Sequence, residues 1–142
     1  MTGTLTIPAA ISGSIDSPMT DLLRSLIRQT HLWRIALFVS MAVILWLATA
    51  RLEHPIQVSS WDKINHLAAF IELTLLTRLG WPRMKASMAA LAMLGFGILI
   101  EIAQAPLPYR ETSALDVVAD SLGIAAGLFL WRYTGARLAT TS

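Results

Sequence analysis

The chain has 142 residues, of which 55% are apolar and only 14% charged, with a mean hydropathy of +0.60. Soluble domains carry about 25% charged residues, so this composition points to a surface that faces lipid. A formal net charge of +2 argues against a nucleic-acid partner, and the absence of cysteine excludes a disulfide framework and a thiolate metal site.

Residues 1–18 are rich in Thr, Ser, Gly, Ile and Ala, hold Pro8 and Pro18, and follow no period. They lack a basic stretch running straight into an apolar core, so they read as a flexible arm and not as a secretory signal peptide. In residues 19–31, Leu22, Leu23, Leu26 and Ile27 recur at helical spacing while Arg24 and Arg28 sit one turn apart on another face. That pattern predicts a short amphipathic helix lying on the membrane surface.

Four apolar segments follow, at about Trp33–Ala50, Ile64–Leu79, Met84–Ala105 and Ala114–Tyr133. A span takes roughly 20 residues, within about 17–25. The first, third and fourth fit. The second is short and contains His66 and Glu72. The predicted fold is all-α: a polytopic membrane protein with four transmembrane helices over 32–135, preceded by the amphipathic helix and followed by a tail at 136–142.

With four spans, the N-terminus, the second connection and the C-terminus share one side of the membrane. That side holds Arg24, Arg28, Arg34, Arg78, Arg83, Lys85, Arg132 and Arg137, eight cations against three (Arg51, Lys63, Arg110) on the other. Basic residues favour the cytoplasmic side, so both termini are expected there. Trp33, Trp81 and Trp131 then mark the inner interface and Trp61 the outer one. Arg34, Lys85 and Arg132 read as snorkelling anchors.

The unusual polar residues crowd around the two outer connections. Asp62, Lys63 and His66 open the second segment, Glu101 and Gln104 close the third, Arg110 lies in the last loop, and Asp116 and Asp120 open the fourth. At about 1.5 Å of rise per residue, they share one layer of the outer bilayer. Asp62 and His66, four residues apart, share a helix face, and Asp116, Asp120, Gly123 and Gly127 form one stripe. The two glycines, and Gly97 on the Glu101 face, allow close approach of a neighbouring helix. A charged side chain mid-span costs about 2.5–3.5 kcal/mol on insertion scales. The economical arrangement is therefore a polar pocket inside the bundle, in which Lys63, Arg110 and His66 neutralise Glu101, Asp116 and Asp120. A salt-bridge network that only fastens the helices is the plainer reading, and it is weakened because an apolar interface would serve as well. Glu72 lies near mid-membrane, about 120° from His66, and reads as a buried hydrogen bond or an oligomer contact.

These residues resemble the VanZ-like family of bacterial membrane proteins, whose pattern is D-K-x-x-H at the start of one span, then E-x-x-Q, a Pro-containing loop with Arg, and D-x-x-x-N-x-x-G. Here the stretches read DKINH at 62–66, EIAQAPLPYR at 101–110 and DVVADSLG at 116–123. The resemblance covers 61 to about 127 and none of residues 1–32. It departs from the pattern at Asp120, where the family has Asn. The resemblance implies a multi-pass protein of the bacterial plasma membrane and a setting in the cell envelope; the family takes its name from a member associated with resistance to the glycopeptide teicoplanin.

Three functional readings follow. In the first, the pocket binds or modifies an envelope lipid or glycan precursor, with membrane lipids as its surroundings and a lipid-linked precursor as its partner. His66, Glu101 and Asp116 are then the catalytic candidates, with Asp62 or Glu101 orienting His66 as general acid or base. Asp62, Lys63, Gln104, Arg110 and Asp120 are the substrate-binding candidates, Lys63 and Arg110 holding a phosphate or carboxylate. In the second, His66, Glu101, Asp116 and Asp120 hold a divalent cation, for which one imidazole among carboxylates suits Mn²⁺ or Mg²⁺. No H-E-x-x-H motif supports it, and the first reading needs no cofactor. In the third, the protein is a non-enzymatic transport or assembly subunit, consistent with the lack of an evident nucleophile: Ser113 is the one serine near Arg110. The oligomeric state is not legible.

Overall fold

The computed structural model describes residue 25 and residues 29–50, 59–108 and 114–139, with backbone alone for 59–62 and 135–139. The expected arm at 1–18 and nearly all of the expected surface helix at 19–31 lie outside them. Four helices make up the described chain: α1 (Thr30–Thr49), α2 (Ser59–Gly80), α3 (Ala86–Gln104) and α4 (Ala114–Ala139). α1, α3 and residues Ala114–Thr134 of α4 are long and apolar enough to cross a membrane. α2 is not short, as the apolar pattern suggested. It begins at Ser59 rather than Ile64 and runs for 22 residues, because the polar residues in its first turns interrupt the hydropathy without breaking the helix.

α2 is also the central element, packing against all three others, most extensively against α4. The helix least suited to lipid is thus the one most covered by protein. The core joins Leu37 of α1, Phe70 and Leu73 of α2, Met93, Phe96 and Ile100 of α3, and Ile124 of α4. Large apolar side chains point outward all round, among them Trp46, Leu91, Ile102, Leu122 and Phe129. So broad an apolar exterior would be an aggregation liability in water and suits acyl chains. Several hydroxyls settle the problem of an apolar surrounding within their own helix: Thr49 donates to the Leu45 carbonyl, Thr77 to Leu73, Ser121 to Val117 and Thr134 to Leu130, all at 2.7–2.8 Å.

In lipid, helices gain little from hiding apolar surface, so close packing of small residues holds them together. The α2–α4 contact follows that rule at the glycines singled out by their spacing. A Cβ on Gly123 would stand 2.6 Å from the Leu67 carbonyl oxygen and 2.9 Å from Phe70 Cβ. A Cβ on Gly127 would stand 2.8 Å from Thr74 Cβ. Both positions require glycine for α4 to lie directly on the α2 backbone.

At one end, α2 and α3 are joined by a short turn. Trp81 N–H donates to the Thr77 carbonyl and Met84 N–H to Trp81. Arg34 of α1 donates through Nε to the Gly80 carbonyl at 2.9 Å, with its guanidinium 4.7 Å from the Trp81 ring centroid. Arg78 donates to the carbonyls of Met84 and Pro82 and lies over the Trp131 ring. Arg34 is therefore a clasp between α1 and the turn that follows α2.

Candidate functional site

The opposite end of the bundle collects the polar residues. His66 lies two turns into α2, Asp116 and Asp120 on successive turns at the start of α4, and Glu101 and Gln104 in the last turn of α3. α3 stops there because Pro106 has no N–H to continue the ladder; the last bonds are Ala105 N–H to Glu101 O and Leu107 N–H to Gln104 O.

The centre of the site is a contact between α2 and α4. His66 Nδ1 lies 2.9 Å from Asp120 Oδ1, with the two side chains 14% and 1% exposed. Asp120 is the most deeply buried polar residue here, and its neighbour one turn earlier, Asp116, is buried too. The second oxygen, Oδ2, is buried with no hydrogen-bond partner among the described residues. It rests against α3 at Gly97, where a Cβ would stand 2.5 Å from it and 3.3 Å from the Phe70 ring. Gly97 is thus the third side of the site, as its place on the Glu101 face suggested. Any larger residue would push the carboxyl off His66.

With Nδ1–H donated to a carboxylate, an imidazole has its ring fixed and its lone pair on Nε2. A buried carboxylate orienting a histidine is the arrangement by which proton-transfer sites hold a base in one tautomer. The residue in contact with Nδ1 is Asp120, which the sequence reading placed among substrate-binding groups, while it assigned the orienting role to Asp62 or Glu101. The spacing could not reveal this, because the partners lie 54 residues apart on different helices.

Gln104 is buried, and its Nε2 donates to the Ala48 carbonyl at 3.0 Å. It ties the end of α3 to the end of α1 and closes the site on that side. Lys63 and Glu101 are half-buried at the same end. The Asp62 side chain and all of Arg110 lie outside the described residues. Among the described residues, no group of three or more His, Cys, Asp or Glu is arranged to hold a metal ion.

The VanZ/LLP1 family model matches residues 9–136. The chain belongs to the VanZ/LLP1 family. The match extends well beyond the motif-bearing stretch at 61–127 and takes in α1 and most of residues 1–32, where the motifs alone gave no resemblance. No curated protein and no solved structure matches. Within this VanZ/LLP1 chain, the residue against the histidine is Asp120, the position at which the resemblance described above departs from its pattern. A carboxyl group brings two oxygens to this contact where an amide brings one.

Away from the site, Glu72 is exposed and accepts a hydrogen bond from Ser40 of α1 at 3.0 Å. The sequence reading offered a buried hydrogen bond or an oligomer contact. The hydrogen bond is there, but it is not buried. Ser40 was not foreseen as the partner, since nothing in its local pattern sets it apart from other small residues of a span.

Proposed function

We propose that all four helices cross the bacterial plasma membrane, with both termini in the cytoplasm and the His66 end at the outer face. That end binds, or chemically modifies, the polar head group of an envelope lipid or glycan precursor. α2 is long enough for this, since 22 residues rise about 33 Å against a hydrocarbon thickness of about 30 Å. Its polar side chains are tolerable because it is wrapped by the other three helices. The observation that carries the functional reading is the His66–Asp120 pair: a histidine held by a buried carboxylate, between three helices, where an apolar contact would suffice for packing. Lys63 and Arg110 are the groups suited to a phosphate or carboxylate of the ligand. A link to glycopeptide resistance follows from the family and sets the assay.

A second reading, an assembly or transport subunit in which the polar end fastens the bundle, is favoured by Gln104, whose amide is spent on tying α3 to α1. The test separates them. His66→Ala, Glu101→Gln, Arg110→Ala and Asp116→Asn are expressed singly in a sensitive host at equal membrane level. Glycopeptide susceptibility is measured alongside the melting temperature of each purified protein in micelles. A working site predicts that wild type shifts susceptibility and that the variants lose the shift while still melting near wild type. A fastening role predicts lower melting temperatures, with susceptibility following stability.

A further inference from the structure

We propose that the groove between α1 and α2 at Ser40 and Glu72 is where a second copy of this chain docks, face to face, in a two-fold pair. The inference rests on the four-span reading, because it takes this face to lie in lipid. Glu72 is more than two turns from either end of α2 and about 9 Å along the axis from Arg78, so it sits at hydrocarbon depth, yet it is exposed. Asn65, seven residues earlier on the same face, is exposed as well, and exposed Ala68 lies between them. Elsewhere on the bundle large apolar side chains are exposed, among them Trp46, Leu91, Ile102, Leu122 and Phe129, and the exposed hydroxyls of Ser121 and Thr134 bond to their own helix. An outward stripe of Asn, Ala and Glu is foreign to acyl chains and suits the close approach of another helix, with polar side chains hydrogen-bonding across.

The occupant follows from the chemistry of the stripe. Ser40 does not return its hydroxyl to its own helix, as Thr49, Thr77, Ser121 and Thr134 do; it gives it to Glu72 Oε1. The carboxyl has acceptor capacity beyond that one bond, and the Asn65 amide both donates and accepts. A surface that carries donors and acceptors along one line is complementary to itself, and a two-fold axis brings like residues together. In the pair, the two Glu72 side chains meet near the axis, each braced by its own Ser40. The Asn65 amides meet one step further along.

The absence of cysteine from the chain allows a direct test. Full-length Ala68→Cys and, on an outward face of α3, Leu91→Cys are reconstituted into phosphatidylglycerol–phosphatidylcholine vesicles at high lipid-to-protein ratio and oxidised. The pair predicts disulfide-linked dimers for Ala68→Cys and monomers for Leu91→Cys. Adding Glu72→Leu to Ala68→Cys should lower the dimer affinity about tenfold, whereas Glu72→Gln, which keeps a donor and an acceptor, should retain most of it. Ser40→Val provides the same reading should Glu72→Leu lose its helical circular dichroism. A monomeric Ala68→Cys, or undiminished dimer with both Glu72→Leu and Ser40→Val, overturns the proposal. Labelling of Ala68→Cys by a membrane-impermeant maleimide removes α2 from the bilayer, and with it both the four-span reading and the pair. Protection from maleimide without cross-linking removes the pair alone.

Discussion

At the end of the bundle around the 81–85 turn, cations are satisfied by backbone carbonyls and indole rings. Arg34 holds Gly80 and lies over Trp81, and Arg78 holds Met84 and Pro82 beside Trp131. At the other end, a histidine and a carboxylate face each other inside the bundle, and one carboxylate oxygen is pressed against Gly97 with no hydrogen-bond partner among the described residues. The first arrangement uses polar groups as most helical proteins do, to finish chain ends and turns. The second buries them between helices and, among the described residues, leaves Asp120 Oδ2 without a hydrogen-bond partner, which costs free energy. The contrast teaches that, among the described residues, the two ends put their charged side chains to different structural use.

The sharpest way to break the contrast is at Gly97. Gly97→Val drives a branched side chain into Asp120 Oδ2 and the Phe70 ring, and overpacking of this kind costs about 2–3 kcal/mol. The expected outcome is a clear drop in melting temperature together with loss of any susceptibility shift, since the carboxyl can no longer reach His66. A variant that melts like wild type would mean that the α3–α4 approach is looser than the glycine implies. The turn end should answer differently. Arg34→Ala removes a hydrogen bond to Gly80 and a cation–π contact at an exposed position, worth about 1 kcal/mol. Thermal melting in micelles should fall modestly, while susceptibility stays at the wild-type value. If Arg34→Ala abolished the shift without unfolding the protein, the division of labour between the two ends would be wrong.

Much of this was legible in the sequence, and the limits have a physical pattern. The four helices of the described residues, the length and apolarity of α1, α3 and α4, the gathering of His66, Glu101, Gln104, Asp116 and Asp120 at one end, and the glycines beneath Asp116 and Asp120 all follow from periodicities within single helices. What could not be read were relations between helices. Asp120 meets His66, Gln104 reaches Ala48, and Ser40 meets Glu72, and each contact depends on the rotation of one helix against another. The length of α2 was misjudged for a related reason. Hydropathy measures fitness for lipid, and the polar first turns of α2 are fitted to other helices.

The smallest expected effect is the most informative about chemistry. Asp120→Asn restores the residue of the family pattern, is nearly the same shape, and keeps an oxygen to accept from His66 Nδ1. Its cost in stability should be below about 1 kcal/mol, since one hydrogen bond replaces another. What changes is the charge that orients and polarises the imidazole. If His66 acts as a proton acceptor, losing that charge weakens the base, and the susceptibility shift should decline at unchanged melting temperature. If the pair only joins α2 to α4, Asn serves as well as Asp and both measurements stay with wild type. The independent reading is the imidazole tautomer of His66, read by 15N NMR in micelles: an Nδ1–H that donates to the oxygen of residue 120 keeps the proton on Nδ1 in both proteins, and a neutral ring with its proton on Nε2 instead would overturn that assignment of the contact.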